Sequence, residues 1–360
     1  VAPVPDKAKS WVKEAVETVT VPILAIFVGL LVGTVFILIA GADPMEAYKA
    51  LFKAVAGSPR AIGETLTSTT PLIFTGLAVA LAFRCGLFNI GVEGQYLVAL
   101  MASALTGYYL HLPPVIHALV ALAAGGLAGM LWAAIVGVLK AYRGVHEVIN
   151  SIMLNYIALY FTHYLLMYYF REPGNRAAAT PFIQETAKLT KGLIPGSRLH
   201  TGIFVALLAA LFVWFFLWKT PQGYEIRAVG LSPGAAEYAG ISVKRNIILA
   251  MAISGLMSGL AGAVQTLGVS YKFYEQMGFI GYGFDGIAVA LLGRNHPVGV
   301  IFGALLFGAL GQGSGAMQAA AGVPKTVVWI VQGTVVFFVA AESIWKFLRR
   351  RRVKAEVKTA

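Results

Sequence analysis

The chain has 360 residues, of which 58% are hydrophobic and 12% charged, and its mean hydropathy is +0.75. A soluble domain carries about 25% charged residues, and apolar runs of membrane-crossing length recur along nearly the whole sequence, so a soluble fold and a soluble domain on one anchor are both excluded. The formal net charge of +12 does not mark a nucleic-acid binder, because much of it sits in "KFLRRRRVK" directly after the last apolar run, where a basic cluster reads as a cytoplasmic stop signal.

Residues 1–20 contain "KAKSWVKEAVETV", an amphipathic cytoplasmic lead-in without the small-residue cleavage site of a signal peptide. Ten apolar segments follow, near 21–40, 65–84, 94–110, 114–139, 148–170, 202–218, 247–268, 282–293, 297–313 and 325–346. Their runs are continuous, whereas barrel strands alternate apolar and polar residues. The expected fold is an all-α polytopic membrane protein with about ten transmembrane helices over 21–346. Ten crossings place both termini on one side. Of 28 Lys and Arg residues, 18 fall on that side, so the positive-inside rule puts both termini in the cytoplasm, and 347–360 becomes a basic cytoplasmic tail. The segment at 282–293 and its neighbour after His296 are short for a full crossing and read as broken helices. Small residues four apart, at Gly125 and Gly129, Gly255 and Gly259, and Gly299 and Gly303, predict close helix packing. "GLAVAL" at Gly76 recurs as "GIAVAL" at Gly286, a possible trace of duplicated halves.

Polar residues interrupt this pattern at a few places. "GLFNIGVEGQYL", Gly86 to Leu97, brings Asn89, Glu93 and Gln95 between the second and third segments. Groups of this kind are costly in lipid and face the bundle interior or a water-filled path. The stretch is either a cytoplasmic turn or a break in a helix dipping toward a path, and Arg84 favours the turn for its first residues. "GVHEVINSIMLNYIALY" adds Asn150 and Asn155, for which packing and pore lining are both open readings. Its "HEVIN" lacks the second His of the H-E-x-x-H zinc motif, so no metal site is read there. In "GYGFDG", Phe284 and Asp285 offer a stacking face beside a hydrogen-bonding carboxylate.

Two loops carry further information. Residues 219–246 form a cytoplasmic loop containing a helix of about two turns. Ser232 is its N-cap, Pro233 suits the first helical position, Ala236 and Glu237 favour continuation, and Gly240 closes it in a left-handed conformation. So short a helix is unstable alone and must dock, either on its own bundle or on a soluble partner; Arg227, Lys244 and Arg245 flank it. The 171–200 loop, on the opposite face, is polar and punctuated by Pro and Gly, as a docking surface for an extracytoplasmic partner or a disordered segment would be. The chain has no Walker motif and no nucleophile–base constellation.

Four stretches, "GLAVALAFRCGLFNIGVEGQ", "GVHEVINSIMLNYIA", "GYEIRAVGLSPGAAEYAGISVKR" and "GFDGIAVALLGRNHPVG", together resemble the permease subunits of ABC-type importers. The branch is that serving simple sugars, nucleosides and branched-chain amino acids, and the wording is most similar to the nucleoside type. The resemblance implies a multi-pass protein of the prokaryotic cytoplasmic (inner) membrane that is not itself an enzyme. It implies ATP and magnesium on a separate cytoplasmic ABC ATPase, an extracytoplasmic substrate-binding protein, and a homologous but distinct second permease. The Ser232–Gly240 helix would be the coupling helix, with Arg227, Ser232, Pro233, Ala236, Glu237 and Gly240 serving ATPase coupling. Asn89, Glu93, Gln95, Asn150, Asn155, Phe284 and Asp285 would line the substrate path, and transport would run by alternating access. A sugar importer is the alternative within the family. A secondary transporter or channel would share the spans but have no use for a capped docking helix.

Overall fold

A computed structural model of the chain describes residues 24–174, 177–339 and 341. The amphipathic lead-in and the basic tail lie outside the described residues. Among the described residues thirteen α-helices run in chain order: α1 (Leu24–Ile39), α2 (Pro44–Ala56), α3 (Pro59–Arg84), α4 (Val92–Tyr109), α5 (Ile116–Arg143), α6 (Glu147–Leu165), α7 (Gly202–Lys219), α8 (Pro221–Leu231), α9 (Pro233–Tyr238), α10 (Val243–Gln265), α11 (Tyr282–Leu292), α12 (Pro297–Ala321) and α13 (Thr326–Val339). Single π turns, Leu166–Phe170 and Thr266–Ser270, end α6 and α10. A helix falls on each of the ten predicted apolar segments. Five of them, α3, α5, α7, α10 with its π turn, and α12, are long and apolar enough to cross a membrane.

The helices group into two units, one of residues 1–54 and 310–360, the other of 55–309. In the first, α1 lies along α13: a Cβ at Gly29 would stand 2.7 Å from Val335. Tyr48 of α2 ties to the same helix by donating to the Leu30 carbonyl at 2.6 Å.

In the second unit α3 is the central post. From Leu72 to Ala82 every residue is buried, which its sequence, apolar on all faces, requires of any helix. Helices α5 and α10 pack antiparallel along a seam of small residues. Gly125 and Gly129 face Gly259 and Gly255, and a Cβ at Gly259 would collide with the Gly125 carbonyl. The two echoed segments meet in space: Gly76 of α3 abuts Val289 of α11 at 2.6 Å from its notional Cβ, and Gly286 abuts Thr75 at 2.7 Å. The break between α11 and α12 lies where it was expected, with Arg294 and Asn295 both at positive φ. Helix α12, however, is 25 residues long. The expectation of two short pieces holds for α11 alone, because the small and apolar residues after His296 continue one helix past the predicted end.

The 171–200 loop is ordered where described. Amide groups of Thr180, Ile183 and Leu189 donate to the carbonyls of Phe273, Tyr271 and Leu267, so the loop lies flat over the π turn of α10 and the strand-like segment after it. Arg198 anchors it to α3, its backbone and guanidinium both donating to Glu64 at 2.9 and 2.8 Å. The reading of this loop as disordered is therefore corrected: the backbone donors that a polar loop must satisfy are taken up by the bundle beneath. His200 closes the loop, buried, with Nδ1 accepting the Gly202 amide at 3.1 Å. Burial, with Lys191 nearby, pushes its imidazole down to about 4.

Two outcomes are expected. Gly259→Val should cost about 1–3 kcal/mol of stability through helix separation, read as a lowered melting temperature in detergent. Gly311→Ala, whose Cβ would meet nothing within 4 Å, should leave it nearly unchanged. For His200, the unfolded chain takes up a proton near pH 6.5 that the folded chain refuses until about 4. The stability it contributes is present above about 6.5 and lost as pH falls toward 4. Hydrogen exchange at the Leu189 and Thr201 amides, corrected for intrinsic rates, should quicken across that window, and this acceleration should vanish in His200→Asn.

Candidate functional site

The polar stretch at 86–97 comprises the turn joining α3 to α4 and, from Val92, the opening turns of α4, and its polar side chains are buried. Asn89, Glu93 and Gln95 are each wholly inaccessible. A helix start leaves four backbone N–H groups without intrahelical partners, and α4 begins at Gly91 with no capping side chain of its own. Neighbouring amides supply the acceptors. Asn89 Oδ1 accepts from Gly91 N at 3.0 Å and from Gln95 Nε2 at 3.1 Å, and its Nδ2 donates to Ser254 Oγ at 2.8 Å. Asn155 on α6 accepts from Gly94 N at 2.8 Å and donates to the Ile90 carbonyl at 2.9 Å. On α10, Ser254 and Ser258 donate to the carbonyls of Ala78 and Val92, both at 2.6 Å. Three helices are thus stitched to one turn.

Glu93 reaches further. Its Oε1 accepts from Gly281 N at 2.7 Å and its Oε2 from Gly283 N at 2.6 Å. These are the opening amides of α11, whose N-cap, Gly281, has φ +103° and no side chain to cap with. The carboxylate therefore caps a distant helix, where the dipole and charge-assisted bonds both favour it. Gly283 is required by proximity, since a Cβ there would meet the Glu93 backbone.

Beyond the clamp, α11 presents three predicted or adjacent groups. Tyr282 stands 5.7 Å from Tyr96 by ring centroids. Phe284 is exposed and lies 5.7 Å from Phe279, which in turn meets Tyr156 at 5.1 Å. Asp285 is half-buried. Asn150 is on α6 outside the network, with its Nδ2 buried and unpartnered among the described residues. Of the seven predicted path residues, Asn89, Glu93, Gln95 and Asn155 are brought together and face partners within the chain. Phe284 and Asp285 join them only through the Glu93 clamp. Glu147 of "HEVIN" pairs with Lys140 at 2.8 Å, and among the described residues no three His, Cys, Asp or Glu side chains gather as metal ligands would. Ser254 and Ser258 were missed. They sit beside Gly255 and Gly259, in a stripe read only for its small size.

The α8–α9 corner forms a second feature. Ser232 Oγ accepts from Ala235 N, Pro233 opens α9, and Gly240 at φ +81° lets its amide and that of Ile241 return to the carbonyls of Glu237 and Ala236. Ala236 is buried and holds the helix down, whereas Glu237 is exposed, Tyr238 is 97% exposed and Leu231 89%. Arg227 is half-buried, its guanidinium 5.9 Å from the Trp218 ring that also carries Arg84 at 5.2 Å. Just before α9, Gly230 lies against the carbonyl of Arg84, so close that a Cβ would collide with it. The α8–α9 corner is thereby seated on the turn that carries Asn89 and leads into α4 and Glu93.

The family model described as the branched-chain amino acid transport system permease component matches residues 61–340. The chain is 45% identical over 332 residues to the guanosine ABC transporter permease protein NupP of Bacillus subtilis, covering 91% of this chain and 94% of that protein. It is 37% identical over 353 residues to the nucleoside ABC transporter permease protein NupB of Lactococcus lactis, covering 95% and 96%. Identity to the glucose ABC transporter permease protein TsgB13 of Haloferax volcanii is 33% over 341 residues, covering 91% and 88%. In each of the first two bacteria a second permease named for the same substrate class also matches, at 30% and 25% identity. No solved structure matches the chain.

The clamp generates a direct expectation. Glu93→Gln keeps one acceptor but turns an amide NH2 toward the other backbone donor. Leaving that buried N–H unmade should cost about 1–3 kcal/mol, read as a lowered melting temperature of the purified protein, with Glu93→Asp also weakened because the shorter side chain cannot reach both amides.

Proposed function

Because the chain belongs to the family of branched-chain amino acid transport system permease components, we propose that it is the membrane subunit of an ATP-driven importer of nucleosides. The observation that carries the substrate is 45% identity to a guanosine permease across nearly the full length of both proteins. The glucose relative, at 33%, supports the sugar alternative less well.

In this reading all ten apolar helices cross or enter the membrane, and both termini face the cytoplasm, as the distribution of Lys and Arg favours. The exposed corner of α9, led by Leu231, Glu237 and Tyr238, docks on a cytoplasmic ATPase that binds ATP and magnesium. Ser232, Pro233, Ala236 and Gly240 shape that corner, and Arg227 braces it from behind. The ordered loop at 177–200 offers its upper face to an extracytoplasmic binding protein. A second, homologous permease completes the assembly, which the paired permeases of the two bacterial relatives support. The solute passes Asn150, Phe284 and Asp285, while Asn89, Glu93, Gln95 and Asn155 hold the backbone around the passage. Closure of the ATPases pushes α9, and α8 carries the movement to the turn at 84–86 through the Gly230 contact.

The test is uptake of labelled guanosine and glucose into vesicles holding this chain with its partner subunits. ATP-dependent guanosine uptake, with little glucose uptake, is expected. ATP-independent uptake of either would contradict the importer, and preferred glucose uptake would replace the substrate. Tyr238→Ala combined with Glu237→Lys should reduce uptake at least tenfold while membrane insertion stays intact. Unchanged uptake by that variant removes α9 as the docking element.

A further inference from the structure

A chamber of about 110 Å³ lies between α4, the π turn of α10 and the segment at 271–282. Tyr96 forms part of its wall. This tyrosine is wholly buried, and its hydroxyl has no hydrogen-bond partner among the described residues. A buried hydroxyl without a partner is costly, a cost that a packing role alone would remove by using Phe. Lys272, on the same wall, is only 6% exposed. Its ammonium is held by the ring faces of Phe182 at 4.3 Å and Tyr274 at 5.1 Å, and no carboxylate among the described residues pairs with it. Gln265 adds an amide, and the tilted rings of Tyr96 and Tyr282 add π faces. The exposed Tyr274 marks the mouth.

We propose that this chamber takes the heterocyclic base of the solute. The inference rests on the nucleoside reading and adds where the base is held and by what. Among the described residues Lys272 is the one charged side chain lining the chamber, so the chamber favours ligands rich in acceptors over cations. Phenol, amide and ammonium donors suit the carbonyl oxygens and ring nitrogens on the edge of a base, and the tyrosine rings suit its faces by stacking. A sugar offers no π face. Size limits how far the base enters: an apolar cavity of about 150 Å³ admits benzene, so at about 110 Å³ the chamber receives the polar edge of the base, and the rest of the base and the ribose would remain at the mouth beside Tyr274.

The test uses the full-length chain in nanodiscs, without a binding protein, titrated with radiolabelled guanosine, with uridine and D-ribose as competitors. Tyr96→Phe, which is isosteric and relieves the unmade hydroxyl, should weaken guanosine binding about 3- to 10-fold while the melting temperature holds or rises. Lys272→Met should weaken it similarly, and ribose should compete poorly with guanosine in the wild type. Unchanged affinity in both variants overturns the inference, as does equal competition by ribose or no guanosine binding by the wild type at millimolar concentration. ATP-driven guanosine uptake by the assembled wild-type transporter separates the two claims. Uptake with unaltered binding in the variants removes the chamber alone, whereas absence of uptake removes the nucleoside reading itself.

Discussion

Glu93 accepts the amides of Gly281 and Gly283, and the arrangement of the polar interior depends on that grip. A buried carboxylate without compensation is costly. Here two short hydrogen bonds and the positive end of α11 offset the cost, and the same bonds satisfy a helix start that has no cap of its own. One side chain thus solves two problems and ties α4 to α11. Because Phe284 and Asp285 follow directly on α11, their positions are set by a residue nearly two hundred positions away in sequence.

The clamp belongs to a continuous set of contacts. On one side, Asn89, Gln95, Asn155 and Ser254 fix the turn that carries it. On the other, Gly230 seats α8 against the carbonyl of Arg84 at the start of that turn, and Cys85 Sγ lies 3.8 Å from the Asn246 carbonyl. Asn246 in turn donates to Glu225 of α8 at 2.9 Å. Backbone-to-backbone seating of this kind has little slack, since interiors are close-packed and respond to displacement by shifting as units. Few compliant side chains therefore separate the exposed Leu231–Tyr238 corner from the turn that leads into α4 and Glu93.

Much of the helical plan was legible in the sequence, because long continuous apolar runs have few alternatives in lipid. The α9 corner was legible for a different reason: Ser232, Pro233 and Gly240 are local signals whose outcome needs no tertiary knowledge. Thr220 and Pro221 carry the same signal for α8, and Thr220 Oγ1 does accept from Gly223 N at 3.1 Å; it went unread because α8 lacks a marked apolar face. The roles of Asn89, Glu93 and Asn155 were harder. Composition says that a buried amide or carboxylate must find a partner, yet a backbone amide on another helix and a water-filled path satisfy that demand equally well. Only the fold shows that Glu93 meets Gly281. The order of the 177–200 loop was hidden similarly, since its acceptors are backbone carbonyls at 267–273 that carry no side-chain signature.

The central claim is that the buried polar turn is a frame and that the passage lies beyond it, along α11. Single cysteines at 89, 95, 284 and 285, in a Cys85→Ser background, can be tested with a membrane-impermeant thiol reagent during nucleoside transport. The account predicts that positions 89 and 95 react no faster than a lipid-facing control at Leu127, while 284 and 285 react rapidly and are protected by nucleoside. Rapid, nucleoside-protected labelling at 89 and 95, with 284 and 285 inert, would contradict it.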